Sequence, residues 1–321
     1  MRLIELTMLM RSLLLLTIRK EAGLRPNRSR FGGLKYLKLT GKRARTLVGL
    51  AVVVPALAIP ASASASTVLI GSGSSAAQPY MEALFNAYHK LHKNVDFKYT
   101  PDGGNAGVKD VQNSISQFAV QTAAPLPSQT KVTFTKLFLD ALCIDVNSQN
   151  TLKNLSLSQL AGVFKQPPTY TAWSQLGGNL GGASILTQGR NSAAGQFTFF
   201  QAAVLNGGAE NTSTTQLTSD GLVKTAIEKN KDAIGYVGLA NSGVKGETKA
   251  TGEKALSING IACSPANVKK KTYPLWRYDW AVLPAKDPNP AVLRFFTWAR
   301  TSAAAGKVLA AAGAVPAFNK K

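Results

Sequence analysis

Strand-like runs alternate with helical patterns between residues 66 and 315, and this alternation constrains the fold more than any other feature. Six apolar or β-branched runs have the length of strands: TVLIG, VDFKYT, LDALCIDVN, ASILTQG, AIGYVGLA and WAVLP. Between the first two, Met81, Leu84, Phe85 and Tyr88 lie at positions i, i+3, i+4 and i+7 of one predicted helix face. The alternation predicts an α/β protein.

Three further segments have recognisable local signals. Ser156 is a predicted N-cap of the helix in SLSQLAGVF, and residues 289–313 are predicted to form one long helix with Pro290 near its start. The segment NGGAENTSTTQLTSDG, residues 206–221, is predicted to be a polar surface loop.

Residues 1–65 are predicted to be a leader that includes a secretory signal peptide at about residues 42–65. Basic residues at positions 42–45 precede an apolar run from Leu47 to Pro60, and small residues that read A-x-A follow. The apolar run is shorter than a stable membrane span, although a membrane anchor is the alternative. The sequence has no cysteine near the cleavage sites, so we expect no lipid-anchor cysteine.

The net charge of +21 is concentrated in the leader. Residues 1–65 carry 12 of the 37 basic residues and 2 of the 16 acidic residues, which leaves 25 basic and 14 acidic residues beyond them. The remaining excess of +11 is spread along the chain, unlike the clustered basic surface of nucleic-acid-binding proteins. We therefore expect no nucleic-acid partner, and the charge suits a small anionic ligand.

Cys143 and Cys263 are the two cysteines of the sequence, and both fall in the part predicted to be exported. An even number of cysteines in an oxidising compartment favours a disulfide. Two buried free thiols are the alternative.

A glycine- and serine-rich loop in STVLIGSGSSAAQPY, residues 66–80, separates a predicted strand from a predicted helix. Its G-x-G-x-x-A spacing resembles a dinucleotide-binding loop, but no acidic residue ends the next strand, and we expect no cofactor. The unpaired N–H groups of the helix N-terminus, with the hydroxyls of Ser74 and Ser75, suit an anion instead. The alternative is that Ser75 only caps the helix.

Six segments between residues 67 and 319 resemble, in the same order, the substrate-binding proteins of phosphate ABC importers in the periplasmic-binding-protein superfamily. They read IGSGSSAAQPYMEALFNAYHK, VDFKYTPDGGNAGVKDV, NLSLSQLAGVFKQPPTYTAWSQL, DAIGYVGLA, TYPLWRYDWAVLP and VLRFFTWARTSAAAGKVLAAAGAVP. The resemblance implies a two-lobed, type II-like periplasmic-binding-protein fold of the α/β class, with two crossover strands and a central cleft.

The resemblance also implies where the chain divides. One lobe would contain residues 66–146 and 273–321, and the other would contain residues 147–272. The crossovers would lie near residues 143–149 and 266–275. Both cysteines lie close to these crossovers in the sequence, so the resemblance suggests a disulfide at the hinge.

In the family, four loops supply the donors that bind an oxyanion. The matching residues, loop by loop, are Ser74, Ser75 and Ala76; Gly104 and Asn105; Thr122; and Arg190, Gly195 and Gln196. Arg190 would offer two N–H groups of its planar guanidinium to the anion, and a surface arginine is the alternative.

The third and fourth loops depart from the family's pattern. The family normally presents an aspartate that accepts the proton of hydrogen phosphate, but the matching window QFAVQTAAPLP has Thr122 or Ala123 there and contains no acid. The fourth loop, RNSAAGQ, has Ala194 and Gln196 in place of serine and threonine. Because a buried carboxylate rejects fully ionised sulfate, its absence predicts weaker discrimination or a different anion. Asp102 could replace it, although a turn-forming role suits PDGG better.

Two other arrangements have weaker support. His89 and His92 lie three residues apart beside the apolar face of one predicted helix without a further ligand nearby, so we predict no metal site. A hydrolase could use Ser74 or Ser75 as its nucleophile, but the sequence contains no G-x-S-x-G motif.

Together these features predict an exported, bacterial, non-enzymatic binding protein that captures an inorganic oxyanion, with phosphate favoured, for an ABC importer. The expected partners are the permease subunits of the importer, and the expected state is a monomer. A paralogue with a degenerate cleft that binds another anion or acts as a surface protein is the alternative. A secreted hydrolase is less favoured.

Overall fold

The computed structural model describes residues 66–244 and 252–318. The predicted leader and its signal peptide lie outside the described residues. Within these two ranges, no helix has the length and apolar character that crossing a membrane requires.

Strands and helices alternate along most of the described chain. The strands are β1 (Thr67–Gly73), β2 (Val95–Thr100), β3 (Phe118–Gln121), β4 (Val132–Asn147), β5 (Asn154–Leu155), β6 (Leu186–Arg190), β7 (Thr215–Leu217), β8 (Ala233–Gly238), β9 (Glu253–Ala255), β10 (Ser257–Ile258) and β11 (Trp276–Pro284). The helices are α1 (Gln78–Leu91), α2 (Gly104–Gln112), α3 (Leu157–Phe164), α4 (Gly195–Ala203), α5 (Asp220–Lys229), α6 (Pro265–Lys270), α7 (Pro290–Thr301) and α8 (Ala303–Ala311), with a 3₁₀ turn at Trp173–Leu176.

Nine strands of the described residues form one sheet. The order is β2-β1-β3-β11-β4-β8-β6-β7, and β9 also pairs with β4. β1 is parallel to β2 and β3, and β6 is parallel to β7 and β8, whereas β4 and β11 are antiparallel to their neighbours. The long strand β4 pairs with β11 up to Ala141 and with β8 from Leu142 onward. It therefore runs from one half of the sheet into the other.

Each half of the sheet has its own hydrophobic core. The first contains Phe85, whose ring contacts the rings of Phe118 and Phe295. The second contains Trp173 and Phe200. The chain thus packs as two regions with β4 and β11 between them. The exact lobe boundaries, near residues 146 and 273, stay a prediction.

Several local predictions are confirmed. The predicted apolar face of α1 is buried, including Met81, Leu84, Phe85 and Tyr88. The Ser156 hydroxyl accepts a hydrogen bond from the backbone N–H of Gln159 and caps α3. Both features depend on residues within one helical turn of each other, which is why the local sequence predicts them.

The prediction of one helix over residues 289–313 is wrong. The segment forms α7 and α8, which are separated by Ser302 in an extended conformation with ψ of 143°. The Ser302 hydroxyl accepts a hydrogen bond from the Ala305 backbone N–H at 3.0 Å, and this bond starts the second helix. Serine favours this position because its hydroxyl replaces a backbone partner that the helix end lacks.

Cys143 and Cys263 form a disulfide. Cys143 lies in β4, opposite Val237 of β8, and Cys263 precedes α6. Because both cysteines belong to the second core, the disulfide lies within one region of the chain and does not join the two cores.

Candidate functional site

The four loops that match the family's oxyanion site meet in the structure. The first loop (residues 74–77) follows β1, and the second (101–105) connects β2 to α2. The third (121–123) follows β3, and the fourth (191–196) connects β6 to α4. β1, β2 and β3 run parallel, whereas β6 runs the opposite way in the other half of the sheet. Because β4 extends through both halves, the carboxyl ends of β1–β3 and of β6 point toward each other from the two halves.

Asn105 connects the second loop to the fourth. Its backbone N–H donates to the Ala193 carbonyl at 2.9 Å, and its Nδ2 donates to the Ser192 carbonyl and the Thr198 hydroxyl, both at 2.9 Å. These bonds also join the two halves of the sheet, because the second loop follows β2 and the fourth follows β6. Asn105 therefore holds the N-termini of α2 and α4 close together.

Gln121 connects the third loop to the same place. Its Nε2 donates to Asn105 Oδ1 at 2.8 Å, and its Oε1 accepts from the backbone N–H groups of Thr122 and Ala123 at 2.8 and 3.2 Å. A Cβ added at Gly104 or Gly195 would collide with Gln121 Oε1. The two helices approach Gln121 so closely that a Cβ at either start would force the Gln121 side chain, which holds the third loop, to move.

Arg190 lies at the end of β6 and is 1% exposed, so the surface-arginine alternative is wrong. Its Nη1 donates to Gln196 Oε1 at 2.5 Å and to Asp220 Oδ1. Its Nε donates to the Leu217 carbonyl at 3.1 Å, and its Nη2 donates to the Thr218 carbonyl at 2.8 Å. Four of the five N–H groups thus have protein partners. The bidentate role expected of Arg190 does not fit this geometry.

Asp220 is the buried counter-ion of Arg190 and was missed by the sequence analysis. Its Oδ2 accepts from Gln196 Nε2 at 2.9 Å and from the Gly238 backbone N–H at 2.7 Å. It occupies the first turn of α5, where the helix dipole favours a negative charge. The pair contributes no net charge to the site.

The segment 206–221, predicted to be a surface loop, explains this omission. It contains β7 and buries Glu210, Thr214 and Asp220. The polar composition of the segment predicted that all of it is exposed to solvent. Asp220 pairs with an arginine 30 residues away, and no local pattern distinguishes such a carboxylate from an exposed one.

Ser74 and Ser75 have different roles in the first loop. The Ser74 hydroxyl accepts from the Ala77 backbone N–H at 3.2 Å, and the Ser74 carbonyl accepts from the Tyr99 hydroxyl at 3.0 Å. The Ser75 hydroxyl is buried and has no partner in the described chain. The interpretation that Ser75 only caps the helix is therefore wrong, because Ser74 makes the local bond.

Ala76 borders the Arg190–Asp220 pair from the first loop. Its carbonyl accepts from Asn241 Nδ2 at 3.4 Å, and a Cβ built on Gly238 would lie 2.9 Å from the Ala76 Cβ and 3.3 Å from Asp220 Oδ2. The first loop therefore packs against the elements that hold the ion pair.

Thr122 provides a second buried hydroxyl without a partner in residues 66–244 and 252–318. Its Oγ1 lies 2.8 Å from where a Cβ on Gly195 would be, beside the first turn of α4. Burying a hydroxyl without a hydrogen bond costs about 1–3 kcal/mol, so such groups in folded proteins usually have a ligand or water partner. At the start of α2 the backbone N–H groups of Asn105 and Ala106 both donate to the Ala193 carbonyl. The groups that can bind a small anion are therefore the hydroxyls of Ser75 and Thr122 and the remaining N–H groups at the starts of α1 and α4.

Asp102 stabilises the second loop. Its Oδ1 accepts from the Gly73 backbone N–H at 3.0 Å. Burial, together with the hydrogen bond and negative charge of nearby Asp110, raises the pKa of Asp102 to about 6. The carboxyl connects β1 to the turn, which agrees with the turn-forming interpretation of PDGG.

A second buried ion pair lies between the helices that border the site. Arg277 of β11 is opposite Asp140 of β4, and Arg277 Nη2 lies 2.7 Å from Asp140 Oδ2. Tyr80, in the first turn of α1, donates to Asp140 Oδ1 at 3.3 Å. The Arg277 guanidinium carbon lies 5.5 Å from the centre of the Phe199 ring in α4. The pair thus contacts both helices from the two central strands.

The geometry offers no support for the hydrolase alternative. His89 lies in the last turn of α1 and His92 is its C-cap, at the opposite end from Ser74 and Ser75. A helix of 14 residues is about 20 Å long, too far for a hydrogen bond from either histidine to either serine. In the described ranges, no group of three or more His, Cys, Asp or Glu residues is placed to bind a metal.

Comparisons with known proteins identify the family. A model described as "PBP superfamily domain" matches residues 60–302. The chain is 25% identical over 252 residues to Protein SphX of Synechococcus elongatus, and this alignment covers 74% of each chain. It is 24% identical over 265 residues to the phosphate-binding protein PstS of Pseudomonas aeruginosa, which covers 75% of this chain and 81% of that protein.

Solved structures show the same fold. One is the crystal structure of a putative phosphate ABC transporter substrate-binding protein with bound phosphate from Clostridium perfringens, with a TM-score of 0.71, 21% identity and coverage of 78% of this chain and 100% of that chain. Another is an ABC-type phosphate transport receptor from Vibrio cholerae, with a TM-score of 0.60, 21% identity and coverage of 77% and 99%. The family model matches most of the length of the chain, and the chain shares its fold with these structures. The chain therefore belongs to the PBP superfamily domain family.

Proposed function

We propose that this chain is an exported solute-binding protein that captures inorganic phosphate for an ABC importer. The observation that carries the proposal is a pair of buried hydroxyls beside the starts of α1 and α4, those of Ser75 and Thr122, which have no partner among the described residues. Helix N-termini attract anions through their unpaired N–H groups and their dipoles. The relatives named as phosphate-binding proteins support phosphate as the anion.

Capture requires the two halves of the chain to close over the ligand. The bonds from Asn105 to the fourth loop are contacts of a closed form, since they join loops from both halves of the sheet. β4 and β11 are the proposed hinge, between a lobe of residues 66–146 and 273–321 and a lobe of residues 147–272, with the end of β4 from Leu142 onward packed in the second core. A closed form that differs in surface from the open form can signal occupancy to permease subunits. We expect a monomer to perform this role.

Export is supported by two features of the chain. The leader has the basic, apolar and small-residue parts of a signal peptide. The disulfide between Cys143 and Cys263 is typical of proteins in an oxidising compartment. We propose a location outside the cytoplasmic membrane, either periplasmic or at the cell surface.

Titration calorimetry with phosphate tests the proposal. The purified protein should bind one phosphate per chain, and Ser75→Ala and Thr122→Val should each weaken binding about 10- to 100-fold, since each removes a hydrogen bond to a charged ligand worth about 1.5–3 kcal/mol. Thr133→Val, at an exposed position of β4, is the matched control and should bind as the wild type does. Absence of heat with phosphate would contradict the proposal and favour the degenerate paralogue.

A further inference from the structure

We infer that Asp279 of β11 is the specificity-determining residue of this site, and that its carboxylate accepts the proton of hydrogen phosphate and thereby excludes sulfate. The inference rests on the proposed function and names the residue that selects the anion within the same site. The third loop contains no acid, and Asp279 brings a carboxyl beside that loop from a different strand.

The register between β11 and β3 places Asp279 beside Thr122. The two strands are antiparallel, and their pairing ends at Trp280 and Gln121. One residue further along each strand, Asp279 and Thr122 are opposite each other. The pairing of β11 with β4 also shifts register between Asp279 and Trp280, and such irregularities re-aim side chains beside functional sites.

The side chain of Asp279 lies on the face of the sheet that α1 covers. Asp279 is paired with Phe138 of β4, and Arg277 is paired with Asp140. Tyr80, in the first turn of α1, contacts the Phe138 ring and donates to Asp140 Oδ1. Because directly paired residues share a face of the sheet, Asp279 lies beneath the start of α1, next to the first loop.

The Asp279 carboxyl is buried and has no hydrogen-bond partner in residues 66–244 and 252–318. Arg277 Nε lies 3.7 Å from Asp279 Oδ1, which is too far for a hydrogen bond, and Nε and Nη1 of Arg277 also lack partners within these ranges. Buried polar atoms are normally hydrogen-bonded, so this group of unpaired atoms indicates a polar ligand. The unpaired hydroxyl of Thr122 belongs to the same place.

The charges around Asp279 favour a ligand that brings a proton. The ionisable groups that interact with it are Arg277 on β11, Asp140 on β4, Tyr80 on α1, Tyr99 on β2 and Asp220 on α5. Arg277 is a single cation shared by Asp140 and Asp279. Burial and the negative charge of Asp140 raise the pKa of Asp279 well above its usual range, against the opposing effect of Arg277. A proton held between Asp279 and the ligand offsets this excess of negative charge.

Hydrogen phosphate brings that proton, whereas sulfate does not. An ionised carboxylate can only accept, so it pairs with the hydroxyl of hydrogen phosphate. Against sulfate, two acceptors would face each other without a proton between them. The Thr122 hydroxyl and the N–H groups of Arg277 can donate to the oxygens of either anion. Selectivity therefore depends on Asp279, while the donors contribute affinity for both anions.

The experiment compares sodium phosphate with sodium sulfate in calorimetric titrations at about pH 8, where the ratio of the two dissociation constants measures selectivity. In the wild type we expect sulfate to bind more than about 100-fold more weakly than phosphate. Asp279→Asn should lower this ratio at least about tenfold, because its amide can donate to sulfate. Asp145→Asn, at a buried aspartate of β4 in the second half of the sheet, is the matched control and should keep the wild-type ratio.

The outcomes separate this inference from the proposed function. A wild-type ratio below about 100, or a ratio that Asp279→Asn lowers by less than about tenfold, would overturn the inference and leave phosphate capture intact. Failure of the wild type to bind either anion would contradict the proposed function itself. Neither Asp279→Asn nor Asp279→Ser removes a hydrogen bond of the described chain, and the serine variant repeats the comparison if the asparagine variant does not fold.

Discussion

Asp220→Asn is the sharpest test of the buried ion pair behind the site. The substitution keeps the shape of the side chain but removes the charge that compensates Arg190. Three donors converge on the carboxylate, from Arg190, Gln196 and Gly238. An asparagine has one acceptor and one donor at these positions, so its NH₂ group must face at least one of the three N–H donors.

The expected loss of stability follows from the burial of the pair. Both side chains are 1% exposed, so solvent does not screen the interaction. Removing one partner of a buried ion pair costs about 3–5 kcal/mol, because the other charge is left without compensation. We therefore expect Asp220→Asn to lower the free energy of unfolding by about 3–5 kcal/mol.

Urea denaturation followed by circular dichroism measures this change. Asp232→Asn is the matched control: its salt bridge to Lys231 is 2.8 Å long, but the Lys231 side chain is 51% exposed. Exposed pairs contribute about 0–1 kcal/mol, so the control should denature close to the wild type.

Phosphate adds a second readout. In Asp220→Asn the uncompensated Arg190 should attract an anion more strongly, so phosphate should raise the denaturation midpoint of the variant more than that of the wild type. A loss of less than about 1 kcal/mol in Asp220→Asn would refute the reasoning, because a buried, charged pair cannot lose one partner at so small a cost.

Three further predictions concern stability and loop geometry. Replacing Cys143 and Cys263 by serine should lower the free energy of unfolding by about 4–5 kcal/mol, from loop-closure entropy over a separation of 120 residues, and unchanged urea denaturation would contradict this. Burial raises the pKa of Glu210 to about 7, so between about pH 4.5 and 7 the folded state holds a proton that the unfolded state has released. The free energy of unfolding should therefore decrease as the pH rises through this range. In Glu210→Gln this decrease should be smaller by at most about 3 kcal/mol, as measured by urea denaturation at several pH values. Gly195→Ala, whose Cβ would collide with the third loop, should weaken phosphate binding by more than about tenfold in calorimetry, whereas Gly182→Ala, with open space around it, should not.

Local patterns were sufficient for much of the secondary structure. The period of Met81, Leu84, Phe85 and Tyr88 identified the buried face of α1, and Ser156 marked the start of α3. β3 escaped because its four residues are all buried, and a short run without alternation has no period that distinguishes it from other segments.

The site was predictable only in part. The resemblance to phosphate-binding proteins pointed to four loops, and in the structure Asn105 and Gln121 join the second, third and fourth of them. It also assigned Arg190 to the site as a bidentate donor, but four of the five N–H groups of this residue have protein partners. The roles of individual donors in the site stay predictions.

The sequence by itself determined the α/β class, the faces and caps of helices, and the position of the loop that contains Ser75. These features depend on residues a few positions apart, whose relation is the same in any fold. Only the tertiary structure decided that Asp220 neutralises Arg190, and that the hydroxyls of Ser75 and Thr122 are buried without partners among the described residues. The physical reason is that the partner of a buried charge or hydroxyl must lie within about 3 Å of it. Which groups lie that close depends on the order of the strands in the sheet and on how the helices pack against them, and local sequence does not determine either.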